Sequence, residues 1–102
     1  MLFRTGGLQL IQNLIRRGHY DWSKKIDQMM NEGWFDETDL EECILTGVVY
    51  KTENDPFKNS VGDKIYVIIG QDTHGKPFYT VGKILRSDEG TLYFFITAHE
   101  VR

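Results

Sequence analysis

The apolar positions of this chain change period once. Up to Ile44 they recur at three- and four-residue spacing, and from Val48 onward they alternate. The first half therefore predicts helices and the second half strands. Leu8, Ile11, Leu14 and Ile15 form one stripe and predict a helix over residues 8–17, closed by Arg16, Arg17 and Gly18. Trp22, Ile26, Met29 and Met30 form a second stripe and predict a helix over residues 22–32, capped by Asp21 or Ser23 and ended by Gly33. Trp34 and Phe35 make a short connection. Asp36 then caps a third helix whose buried stripe is Leu40, Cys43 and Ile44, with Gly47 at its end.

Strands follow over residues 48–53, 64–70, 76–85 and 91–99. They are separated by a loop rich in Asn, Asp, Pro and Gly and by two tight turns. Short connections imply antiparallel neighbours. The expected architecture is a single domain over residues 1–102, of class α+β. Two to three N-terminal helices pack on one face of a four-stranded antiparallel meander.

Strict alternation places Phe78, Thr80, Gly82 and Ile84 on one face and Tyr79, Val81, Lys83 and Leu85 on the other. In the last strand it separates Leu92, Phe94, Ile96 and Ala98 from Tyr93, Phe95, Thr97 and His99. Both faces carry large apolar side chains, whereas a sheet covered on one side normally shows a polar outer face. The second face is therefore expected to be covered by the N-terminal segment, by a second copy of the chain or by another protein, with Tyr66, Tyr79, Tyr93 and Phe95 as its binding residues.

Composition narrows the function classes. The 102 residues are 40% apolar and 26% charged, ordinary values for one globular domain. The formal net charge of −3 lacks the basic signature of a general nucleic-acid binder. Six acidic residues and no basic ones lie between Glu32 and Glu42. The single cysteine, Cys43, excludes an internal disulfide and a cysteine-rich zinc site, and its helical spacing makes it a core residue. Without a signal peptide or a long apolar run, the chain is expected to be cytoplasmic and free of the membrane. Phosphate-binding glycine loops, dinucleotide fingerprints, GxSxG and HExxH are all missing, so no cofactor and no metal are expected.

Of the three histidines, His74 reads as turn chemistry and His19 as a helix-boundary residue. His99 ends the last strand on the predicted open face, next to Glu100 and near Arg102. A metal-free ribonuclease needs a proton acceptor for the 2′-hydroxyl, cations for the phosphate and a donor for the leaving oxygen. His99, Lys83, Arg102 and Lys24 supply a base and cations of that kind, with Tyr79 and Tyr93 as further donors.

The order of motifs adds a resemblance. Met29-Met30-Asn31-Glu32-Gly33, the acidic stretch from Asp39 to Gly47, Ile65-Tyr66-Val67-Ile68-Ile69-Gly70, Gly75-Lys76-Pro77 and Ile96-Thr97-Ala98-His99 follow one another. This order resembles a small bacterial family of unknown function whose helix carries His-Ala-x-x-Arg-Met-x-x-Arg-Gly. Its layout is similar to the BrnT and RelE toxins, small α+β ribonucleases of toxin–antitoxin pairs. The His-Ala positions fall on Lys24-Lys25, the two arginines on Gln28 and Glu32, and the terminal Tyr on His99. The resemblance implies a ribonuclease-like domain or a descendant of one, with RNA as substrate and a protein as partner. The residues themselves support an alternative, a non-catalytic module that dimerises or binds a partner through the apolar second face.

Overall fold

A computed structural model describes residues 6–101; Arg102, one of the candidate cations, lies outside them. Helix α1 spans Gly6–Arg16 and ends at Gly18, whose φ of +74° lets His19 N–H reach back to the Leu14 carbonyl at 2.9 Å. A short strand, β1, Tyr20–Trp22, follows, then α2, Lys24–Asn31, and α3, Glu37–Thr46. Four longer strands complete the chain: β2, Val48–Asn54; β3, Lys64–Gln71; β4, Pro77–Ser87; and β5, Gly90–Glu100.

The class is α+β, as the periodicity predicts, but the sheet is mixed and five-stranded, in the order β1-β5-β4-β3-β2. The difference arises at residues 20–22, expected partly as loop and partly as the start of the second helix. They instead form β1, which runs parallel to β5 with Tyr20 opposite Tyr93 and Trp22 opposite Phe95. Ser23 makes the switch. Its backbone N–H bonds the Phe95 carbonyl at 3.0 Å and its hydroxyl donates to the Ile96 carbonyl at 2.8 Å. The same hydroxyl accepts from Ile26 N–H at 3.2 Å and so caps α2.

All three helices cover one face. Ile11 of α1, Ile26 of α2 and Leu40 and Ile44 of α3 are fully buried against Ile68, Ile84 and Phe95. Each helical stripe contributes to this single core, and its burial is the dominant stabilising term. Cys43 lies within it at 0% exposure. Burial pushes its thiol up to about 11, so it is an inert packing residue.

A bulge changes the faces of β5. Val81 of β4 lies opposite Thr97, but Gly82 lies opposite Phe95, so Ile96 is an extra residue. Before it, Tyr93 and Phe95 face the helices; after it, Ala98 does. His99 therefore points the opposite way from Tyr93 and Phe95, contrary to strict alternation. Gly82 is required at this point, because a Cβ there would stand 2.6 Å from the Tyr93 ring and hydroxyl.

Candidate functional site

Strand register places each candidate residue. On the face away from the helices, Val67 lies opposite Val81, Ile69 opposite Tyr79, and Tyr79 opposite His99. β2 adds Lys51 opposite Val67 and Glu53 opposite Ile65, with a bulge at Tyr50 between Val49 and Lys51. These side chains bound a shallow, mainly apolar concavity of about 430 Å³, lined among others by Tyr50, Val67, Ile69, Tyr79, Val81 and Val101. Tyr50 is 66% exposed and Val48, beside it, 64%.

Of the four expected binding residues, only Tyr79 belongs to this face. Tyr66 lies opposite Gly82 on the helical side and packs against Gly7, where any Cβ would collide with its ring. Tyr93 and Phe95 are fully buried in the core, with their rings edge to face at 5.0 Å. The bulge moved the latter two; helix α1 covers the first.

Of the proposed catalytic groups, His99, Lys83 and Lys24 do not converge. His99 is exposed at the end of β5. Its ring stands edge-on to Tyr79, with centroids 3.9 Å apart, and its Nδ1 lies 2.7 Å from the Glu100 carbonyl. A carbonyl only accepts, so Nδ1 is the donor in this contact. Lys83 shares the open face but lies opposite Phe94, four residues along β4 from Tyr79, roughly 13 Å at the strand rise. It is also occupied: its ammonium is 3.3 Å from Asp55 Oδ2 and 2.7 Å from Asn59 Oδ1, and only 7% of the residue is exposed. Lys24 opens α2 on the helical side of the sheet, exposed, with the sheet between it and Lys83.

Asp55 was not legible as a site residue. It sits in the Asn-Asp-Pro stretch that reads as turn chemistry, yet it is 2% exposed. Burial opposes its charge. Hydrogen bonds from the Ser60 hydroxyl, the Phe57 N–H and the Lys83 ammonium outweigh that and hold its carboxyl below the ordinary range. The Phe57 ring lies 5.2 Å from the Lys83 ammonium and shields the pair. This clasp pins the loop between β2 and β3 onto the open face.

On the helical side, Asp39 joins α3 to the β3–β4 turn. Its Oδ1 accepts from the Thr73 N–H at 2.9 Å and hydroxyl at 2.8 Å, and its Oδ2 from Asp36 N–H at 3.0 Å. Burial would raise its carboxyl, but these donors lower it. Tyr20 lies between Glu37 and Glu41, its hydroxyl 2.5 Å from each carboxylate. Burial and the two negative charges push its phenol upward. Among the described residues, no cluster of His, Cys, Asp and Glu could hold a metal ion, and no helix is long and apolar enough to cross a membrane.

Comparison with protein-family models, curated proteins and solved structures finds no match to this chain.

Proposed function

We propose that the chain is a non-catalytic assembly module that joins two copies through the open face of its sheet. The apolar concavity between Tyr50, Ile69, Tyr79 and Val81 carries this reading. A sheet face bounded by water alone would be polar at alternate positions. Lys51 and Glu53, 3.3 Å apart at its margin, place both signs of charge on one strand. A two-fold axis sets such a margin against itself with opposite charges facing. The toxin-like ribonuclease reading has less support. It needs free cations beside His99, and Lys83 is paired with Asp55 while Lys24 stands behind the sheet.

Sedimentation velocity on the purified chain tests the proposal. The wild type is expected to dimerise at micromolar concentration. Ile69→Lys with Val81→Lys is expected to give a folded monomer, because neither side chain faces the helices. A wild type that stays monomeric, or a double variant that still dimerises, overturns it. RNA cleavage by the wild type that is lost in His99→Ala would instead establish the catalytic reading.

A further inference from the structure

The connection between β2 and β3, residues 55–63, is tied together by its own hydrogen bonds. Asp55 N–H bonds the Asp63 carbonyl at 2.8 Å, Lys58 N–H the Asp55 carbonyl at 3.2 Å, and Asp63 N–H the Ser60 carbonyl at 3.1 Å. The Asp55 carboxylate adds the Ser60 hydroxyl at 2.7 Å and the Lys83 ammonium at 3.3 Å. Ser60 also bridges Leu85, which lays the loop along the end of β4 beside Arg86. Such a loop is held in shape before a ligand arrives, which lowers the entropic cost of binding.

The loop and the strand end enclose a concavity of about 330 Å³, lined by Lys58, Asn59, Ser60, Val61, Gly62 and Arg86. None of these residues lines the concavity of the open face. The two charged residues of the lining are both cations. Neither is in an ion pair, because the pairs among the described residues are Lys51–Glu53 and Lys83–Asp55. All 15 Asp and Glu residues lie between Asp21 and Glu100, so no acidic side chain outside the described residues is left to pair with them. A chain of net charge −3 thus keeps two uncompensated cations at one site.

Two further features point to a ligand. Lys58 has a φ of +54°, in the left-handed region that lysine rarely adopts. A glycine there would be free of strain, so this lysine stands at a conformational cost that its side chain alone explains. Asn59 is the second feature. Its Oδ1 accepts from the Lys83 ammonium at 2.7 Å. An ammonium only donates, so the amide oxygen must face Lys83. That leaves the Asn59 NH2 as a third donor, without a partner among the described residues.

We propose that this concavity binds a phosphate dianion, carried by a phosphate monoester or by free inorganic phosphate, through Lys58, Arg86 and the Asn59 amide. Two full positive charges match a dianion and exceed the single charge of a diester. The Arg86 guanidinium offers a fork for two phosphate oxygens, and Lys58 supplies a point charge. No aromatic side chain lines the concavity, so a nucleic-acid strand would find no surface for base stacking.

Amide NMR titration of the full chain tests this at constant ionic strength held with sodium chloride. The probes are inorganic phosphate, phenyl phosphate as a monoester and dimethyl phosphate as a diester. The first two are expected to shift the amides of residues 58–62 and Arg86 and to saturate below about 10 mM. The tighter of the two tells whether the site takes the free ion or a monoester. Dimethyl phosphate should bind more weakly by about fivefold or more. Arg86→Gln and Lys58→Gly should each weaken phosphate by about fivefold or more. Lys58→Gly should also unfold in urea no earlier than the wild type, because it relieves the backbone. Asn59→Asp keeps an acceptor for Lys83 but replaces the NH2 with a negative oxygen, and should weaken phosphate by about tenfold or more. Circular dichroism checks that the variants fold. Shifts that do not saturate, equal binding of the diester, or full affinity in any of the three variants overturns the proposal.

Discussion

Two side chains show how burial decides what a residue does here. The hydroxyl of Tyr93 is enclosed in the core and has no hydrogen-bond partner among the described residues. Burial drives its ionisation far above the usual phenol range, so it stays protonated and carries its desolvation cost. Tyr93→Phe removes that cost and keeps the ring. Urea unfolding should find the variant as stable as the wild type or more stable by about 1 kcal/mol. Asp39 is the opposite case, a buried carboxylate with three donors. Asp39 and Asp55 both ionise more readily folded than unfolded. Their stabilisation is complete above the ordinary carboxylate value, near 3.8, and is lost as pH falls through the lower folded values. The urea midpoint should therefore drop on acidification below about pH 4, and drop less in Asp39→Asn.

Among the elements, β1 and the β5 bulge matter most. The three residues of β1 are tied down by their register with β5 and by Ser23. Because the Ser23 hydroxyl serves the Ile96 carbonyl and the α2 cap together, Ser23→Ala loses both bonds. Chemical denaturation should show a loss of about 1–2 kcal/mol. The bulge turns Tyr93 and Phe95 inward while His99 stays outside. A substitution at Gly82 would disturb it, because a Cβ there would enter the space that the Tyr93 ring occupies. The Asp55–Lys83 clasp has a comparable role on the other face, where it fixes a nine-residue connection, residues 55–63, that has one short helical turn, Val61–Asp63.

At the scale of the molecule, one sheet has two unlike surfaces. The helices cover one face, and the other keeps Tyr50, Val48 and the Tyr79–Val81 stripe in reach of solvent. Lysines at positions 69 and 81 should abolish the dimer expected from that face while the chain stays folded. Sedimentation velocity beside circular dichroism on that variant separates loss of the dimer from loss of the fold.

Periodicity along the chain was enough to place three helices and four strands, because each buries a stripe or a face whose spacing is local. Ile11, Ile26, Leu40 and Ile44 were legible as core for the same reason. The apolar second face was legible too, since alternation shows how many large side chains a sheet must present on each side. β1 was not, because three residues carry too little periodicity and their hydrogen bonds come from a strand some seventy positions away. The bulge was not, because one extra residue in β5 is defined only by its register with β4. The partner of Lys83 was not, because Asp55 reads locally as turn chemistry and becomes a buried ion only when the loop folds onto the sheet. Local spacing determined the elements; pairing between distant segments decided which side chains share a face, and with it where a partner can bind.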